Sequence, residues 1–398
     1  MMVEKDRSNF VNKTYQLKMI LPFYQKHLEN QLDSSELIFL DLLINILQDI
    51  KEVNLEKIAT ALPIPILFES RRKKIQRFLL SPSFNIETLW FPIIQDWLAQ
   101  KFTKHQNIYL AIDRTNWGRK NLFVASIVYD KRAIPVYFTL LPKLGSSNFA
   151  EQINLISQVL PLFKEYKIVV LGDREFCSVK LASWLREQQV QFCLRLKRDE
   201  FIEVEDGVWE ELNNLGLEPG ISLFLEGIKV TKTQRIGGFN LACKWKRQLH
   251  GVCPKEGWFI LTNLGDQEAA IKAYKKRFDI EEMFKDLKSG GYNLEDTNVS
   301  GHRFISLVLA IAFAYSSATF QGEKIKKKGV QKYIGRIKES GRIERRHSSF
   351  YVGLYGQTWV NFMSDCWEVV EKLMRINRNK LEYYLRGMRA MKLIMNAL

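Results

Sequence analysis

Three strand-length apolar runs in close succession, followed by alternating helical and strand-like runs, constrain the fold more than any other feature of this chain. The runs lie at 108–113, 122–129 and 132–140, and the last two meet so tightly at Asp130-Lys131 that they read as a hairpin. A helix is expected over roughly 147–162, then a strand at 167–172, a helix near 178–188 and a strand at 190–197. Buried strands read as short apolar runs, and a tight turn between two of them reads as a hairpin. A three-strand meander followed by alternating helices and strands argues an α/β fold, a mixed sheet with helices packed on it. At 398 residues the chain can hold two or three domains with sizeable cores.

Two of these runs stop on a carboxylate: IYLAID at Asp113 and KIVVLGD at Asp173. Ligands and catalytic groups gather at the carboxyl ends of strands in α/β sheets, although a single strand-end Asp is more often a cap or turn former. A third carboxylate lies in Tyr274 to Lys288, YKKRFDIEEMFKDLK. Read as one α-helix turning about 100° per residue, this stretch brings Tyr274, Arg277, Glu281 and Lys288 within an arc of roughly 60°. Ile280, Met283, Phe284 and Leu287 form an apolar stripe beside it. An ordinary amphipathic helix with solvated charges has the same outline. With the two aspartates added, the set offers three carboxylates, which is what two Mg²⁺ ions need for phosphoryl transfer.

On these residues the chain resembles DDE transposases of bacterial insertion sequences, the group marked by a Tyr-x2-Arg-x3-Glu-x6-Lys signature. Tyr274, Arg277, Glu281 and Lys288 match that spacing at every position, and the aspartates sit in Asp113-Arg-Thr-Asn-Trp and Gly-Asp173-Arg-Glu-Phe. The resemblance covers roughly residues 105–320. It implies an RNase H-like catalytic domain at 106–325, which is also the order of the strands above. It further implies a β-strand insertion before the catalytic glutamate, and residues 198–265, with short β-rich runs broken by Gly and Pro, fit that place. Lys229, Lys232, Arg235, Lys244, Trp245, Lys246 and Arg247 in this insertion could track a DNA backbone, with Trp245 stacking an unpaired base. A basic sheet face around a small core reads equally well.

Composition agrees with a polyanionic partner. The formal net charge is +15, which suits nucleic acid or an anionic membrane surface. The five cysteines form no CxxC pair and read as reduced residues of a cytosolic protein. The five histidines are scattered without metal-ligand spacing, and no Walker-type phosphate loop occurs. The start carries no apolar signal core. Phe304 to Phe320 nearly reaches membrane-span length but ends in Ser and Thr, and a buried core helix is expected there.

Residues 1–105 read as a helical DNA-end-binding domain. SELIFLDLLINILQDI has helical spacing with Ser34 or Ser35 as cap, and a basic helix follows the break at Pro63 and Pro65. Helix, break and basic helix outline a helix-turn-helix reader in which Arg71, Arg72, Lys73, Lys74 and Arg77 meet DNA. A solvated basic face would look alike. Residues 326–398 are expected to form a basic segment and a C-terminal helical region, and the resemblance implies dimerisation there.

The expected function is a DNA transposase that cleaves the ends of an insertion sequence and joins them to target DNA. Asp113, Asp173 and Glu281 would hold two Mg²⁺ ions, with Mn²⁺ able to substitute, while Tyr274, Arg277 and Lys288 hold DNA. Arg277 and Lys288 are expected to act on phosphate rather than to buttress the fold. The implied partners are double-stranded DNA (terminal inverted repeats and target) and a second copy of the chain, with no membrane. The implied place is the bacterial cytoplasm, on the nucleoid. The alternatives are an RNase H-like nuclease that cuts without joining, and an inactive transposase-derived DNA-binding protein.

Overall fold

The computed structural model describes residues 21–232, 234–247, 256–338, 340 and 347–398, and these form two compact units. One unit joins the chain up to Ile93 with Lys285–Leu398; the other is Ile94–Phe284. The first segment is helical: α1 (Pro22–Leu28), α2 (Ser34–Ile50), α3 (Leu55–Ala61) and α4 (Phe68–Phe78). Asp33, not Ser34 or Ser35, caps α2. Its side chain accepts from Glu36 N at 2.8 Å while the Glu36 carboxylate faces Asp33 N, a capping box. A carboxylate there also meets the positive end of the helix dipole, which a serine hydroxyl does less well. Pro63 and Pro65 keep the α3–α4 connection out of helix.

Helix α5 (Phe91–Lys101) leads into the second unit, which is built on a single ten-stranded sheet. Strands β1 (Asn107–Trp117), β2 (Lys120–Tyr129) and β3 (Arg132–Leu140) form the expected antiparallel meander. Helix α6 (Phe149–Val159) is shorter than expected, because Pro161 converts its last turn to 3-10 form. Then come β4 (Lys167–Gly172), α7 (Val179–Glu187) and β5 (Gln191–Arg195), with β4 parallel to both β1 and β5. The order β3-β2-β1-β4-β5 is that of an RNase H-like core.

The expected insertion does not make a separate layer. It carries β6 (Phe201–Glu205), β7 (Val208–Glu211), β8 (Ser222–Val230), β9 (Ile236–Lys244) and β10 (Trp258–Thr262). Strand β10 pairs antiparallel with β5 at Ile260↔Arg195 and Thr262↔Cys193, so the insertion extends the core sheet in the order β10-β9-β8-β6-β7. Edge pairing satisfies the backbone groups that β5 would otherwise leave open. Residues 233 and 248–255 of the insertion lie outside the described residues. Two further helices follow in sequence, α8 (Gln267–Lys275) and α9 (Phe278–Leu287).

The remaining helices are α10 (Gly301–Lys327), α11 (Ser349–Asp365), α12 (Trp367–Ile376) and α13 (Leu381–Met395). Helix α10 is long and apolar enough to cross a membrane, yet 94% of its most apolar stretch is buried. Fully burying one Leu, Ile or Phe contributes about 1.5–3 kcal/mol, so Leu307, Ile311 and Phe313 make α10 the core of its unit. Tyr24 Oη lies 2.7 Å from Ser316 Oγ, and Gln48 Nε2 donates to Ala314 O at 3.1 Å. The run Phe304 to Phe320 thus packs with the N-terminal helices in one compact unit. The expected 326–398 region likewise joins this unit; its residues 339 and 341–346 lie outside the described residues. Helices α10 and α11 touch backbone to backbone, since a Cβ on Gly353 would come within 1.8 Å of Ala318 O.

Candidate active site

Strand β1 runs past Asp113 to a tight turn at Gly118-Arg119, so this carboxylate stands in mid-strand and not at the strand end. Asp173 does end its strand. The β1–β4 ladder reaches Ala111↔Leu171, and the two aspartates each lie two residues further along their neighbouring strands. The chain turns sharply after β4: Asp173 caps a short 3-10 turn by accepting from Glu175 N at 2.9 Å. Only glycine fits before it, because a Cβ on Gly172 would stand 2.8 Å from Phe176 Cβ and 2.9 Å from Leu194 Cδ2.

The stretch 274–288 is not one helix. Helix α8 ends at Lys275, and Lys276 and Arg277 form a turn closed by i→i−3 bonds, Lys276 N to Ala273 O and Arg277 N to Tyr274 O, both at 3.0 Å. The common arc of Tyr274, Arg277, Glu281 and Lys288 is broken there. No Gly or Pro marks the break. The buried Arg277 guanidinium is drawn to two carboxylates, 2.5 Å from Glu281 Oε1 and 3.6 Å from Asp113 Oδ2. Its side chain is only 6% exposed. Lys288 lies just beyond α9, in the helical unit, paired with Glu295 at 2.7 Å. Glu282, next to Glu281, faces Arg132 instead, at 3.6 Å.

Burial and the nearby charge of Asp173 push the Asp113 carboxyl up to about 7, with Glu281 adding to the rise and Arg277 and the Arg114 amide opposing it. Asp113 thus feels the charges of both Asp173 and Glu281, with Arg277 the cation among them. Oxygen-only donors fit a hard divalent cation in kind. Among the described residues no three such side chains are gathered closely enough to hold an ion as they stand. The guanidinium sits between Asp113 and Glu281 where a cation is called for, and its Nε has no hydrogen-bond partner.

Tyr274 is fully buried, its ring 5.1 Å from Trp258 and its phenol pushed up by burial. Trp258 stacks on the partly exposed Phe278 at 5.8 Å, with Lys246 Nζ 5.4 Å above Trp258 and the Arg277 guanidinium 4.6 Å from the Phe278 ring. No sequence pattern links Trp258 to Phe278, and Trp258 stands in sequence only as the start of a strand. Trp245 lies nearby, half-buried, its amide bonded to Ile221 O at 3.0 Å. Also unforeseen is Glu256, which pairs with Arg174 and, at 2.7 Å, with Arg195.

The basic helix α4, in the other unit, divides its charges. Arg71 donates to Leu62 O at 3.2 Å, Arg72 pairs with Glu56 at 2.6 Å, and Lys74 lies 5.2 Å over the Phe39 ring. Lys73 and Arg77 face solvent.

The family model described as the transposase DDE domain matches residues 104–316. No curated protein matches the chain. Among solved structures, the cryo-EM structure of a piggyBac transposase synaptic complex with hairpin DNA is similar at a TM-score of 0.42 and 11% identity, covering 95% of this chain and 82% of that one.

Proposed function

The chain belongs to the transposase DDE domain family, and on that premise we propose that it cleaves the ends of a bacterial insertion sequence and joins them to target DNA. In cleavage a water oxygen bonds to phosphorus as it loses a proton, and the 3′-oxygen of the element's end leaves and takes a proton up, giving a 3′-hydroxyl. In joining, that 3′-hydroxyl bonds to a target phosphorus and displaces the target's 3′-oxygen, which takes up the proton the attacking hydroxyl loses. Asp113, Asp173 and Glu281 are the residues that would hold divalent cations, Mg²⁺ in the cell, and the observation that carries this is the coupling of Asp113 to both other carboxylates beside Arg277. Bound cations supply the activation of the attacking oxygen and the stabilisation of the leaving one.

The remaining roles fall to the chain's own side chains. Arg277 neutralises phosphate oxygens once it leaves its carboxylates, as a planar fork suited to them. Tyr274 backs the Trp258–Phe278 pair, which offers an unpaired base a ring face beside the carboxylates, with Trp245 as the second platform. Lys288 meets DNA after release from Glu295. Helix α4 carries end recognition through Lys73 and Arg77, with Arg71, Arg72 and Lys74 supporting it. Val369, Leu373 and Ile376, exposed and spaced along one face of α12, support a homodimer in the joined complex.

The decisive experiment replaces Asp113, Asp173 or Glu281 with Ala and follows cleavage of an end-containing duplex in Mg²⁺ beside a gel shift. Each variant should bind the end as before and lose cleavage by about a thousandfold or more. A variant that still cleaves removes its residue from the site.

A further inference from the structure

Joining brings two DNA molecules to one set of carboxylates, and the two flanks of the Asp113–Asp173 pair are built differently. On the β5–β10 flank stand the Trp258–Phe278 rings with Lys246 above them. On the β2–β3 flank stand two turns at the same end of the sheet, Gly118-Arg119 between β1 and β2, and residues 141–147 after β3.

The second turn is held rigidly. Asn121, fully buried, donates from Nδ2 to Lys143 O at 2.8 Å and to Gly145 O at 2.9 Å. Glu175, two residues after Asp173, accepts from Ser147 N at 2.9 Å and from Arg114 Nε at 2.6 Å, and Arg114 itself follows Asp113. The turn is thus tied to the chain beside both aspartates. The braces are largely buried, and the turn presents outward Pro142, Lys143, Leu144, Gly145 and Ser146, with Leu144 55% exposed at the tip. Segments 114–120 and 141–147 contain no acidic residue, and besides Arg114, held by Glu175, they carry Arg119, Lys120 and Lys143. Lys143 is 47% exposed and pairs with Glu151 at 3.7 Å, a surface pair weak enough to give way to a phosphate.

A rigid apolar tip between cations suits an intact duplex. The cations take its phosphates, and a Leu side chain can wedge a base step and bend the helix. The Asp113 side chain is only 15% exposed, and bending a duplex lets one of its phosphates approach such a carboxylate more closely. A stacking surface such as Trp258–Phe278 suits the opposite partner, an end with an unpaired base. We propose that the 141–147 turn, with Arg119 beside it, is the seat of the target duplex, on the flank opposite the element's end. It rests on the two-step chemistry proposed above.

The test uses full-length protein with two substrates, an uncut end and a pre-cleaved end carrying its 3′-hydroxyl plus a labelled target duplex. The triple variant Arg119→Ala, Lys143→Ala, Leu144→Ala should cleave uncut ends within twofold of wild type and join pre-cleaved ends at least tenfold more slowly. In a second arm, p-benzoyl-phenylalanine in place of Leu144 should photo-crosslink to the target strand and not to the end. Joining at the wild-type rate, or crosslinks only to the end, overturns the assignment. If wild-type protein neither cleaves nor joins, the proposed chemistry fails separately, and the crosslink to plain duplex still decides whether this turn seats DNA.

Discussion

Arg72 and Arg277 carry the same guanidinium and each pairs with two acidic residues, yet they answer to different physics. Arg72 lies on α4 with a third of its side chain in water, beside Glu56 and Glu69. Arg277 is almost wholly buried, between Asp113 and Glu281. Exposed pairs are screened and contribute little, whereas a buried charge stripped of its partner is expensive. A basic residue in a DNA-handling protein therefore cannot be assigned to DNA by its type. Its burial decides how far it is already committed to the fold.

The largest effect that can break this contrast is at Arg277. From sequence, Arg277→Ala was expected to fold normally; from its burial, the variant should lose about 3 kcal/mol of stability in addition to cleavage. Urea denaturation checks it, and an unchanged midpoint would return Arg277 to a purely DNA-facing role. Arg277→Lys should recover part of the stability but less of the cleavage, since an ammonium cannot grip two acceptors as a planar fork does.

Next in size is the effect of pH on Asp113. Its carboxyl rises from 3.8 to about 7 on folding, so between those values the folded chain keeps a proton that the unfolded chain has lost. Stability contributed by that proton is present at the acid end of the window and is lost as pH rises through about 7. In EDTA, Asp113→Asn should melt higher than wild type at pH 8, with the gap closing as the pH is lowered towards 4. Thermal melts across that range measure it, and a constant gap would remove the electrostatic cause.

Lys73 and Arg77 test the exposed side of the comparison. Arg77→Ala should weaken end binding by about 1–3 kcal/mol if it reads a base, and Lys73→Ala should weaken all duplexes alike while flattening the salt dependence by about one unit of log–log slope. Equal salt slopes in wild type and Lys73→Ala would take that lysine off the DNA. The smallest effect belongs to Arg72→Ala, expected to change stability by less than about 1 kcal/mol, within reach of careful denaturant titration.

Much of the sheet unit was legible because its strands obey a local rule. Runs such as 122–129 and 132–140 are apolar, bounded and joined by a tight turn, and the structure places them as read. The aspartates were legible for the same reason, although β1 continues past Asp113, carried by pairing with β2 that no residue of β1 announces. The apolar run 304–320 was legible as a buried helix, but not its membership: which helices cover it depends on contacts some 270–290 residues away in sequence, such as Gln48 with Ala314 and Tyr24 with Ser316.

By itself, then, the sequence determined the meander and the alternation after it, an aspartate closing each of two apolar runs, and the Tyr-Arg-Glu-Lys spacing, since periodicity and turn chemistry are properties of neighbouring residues; that the two aspartates' strands lie side by side was decided by the β1–β4 pairing. Tertiary structure alone decided three further things. It broke the helix at Lys276–Arg277 among residues that favour helix, where the buried Arg277 side chain reaches Asp113 on β1. It stacked Trp258 on Phe278, two residues twenty positions apart with no pattern linking them. And it grafted the insertion onto β5 as more of one sheet, because an open strand edge is satisfied by whichever chain reaches it, not by any motif the edge carries.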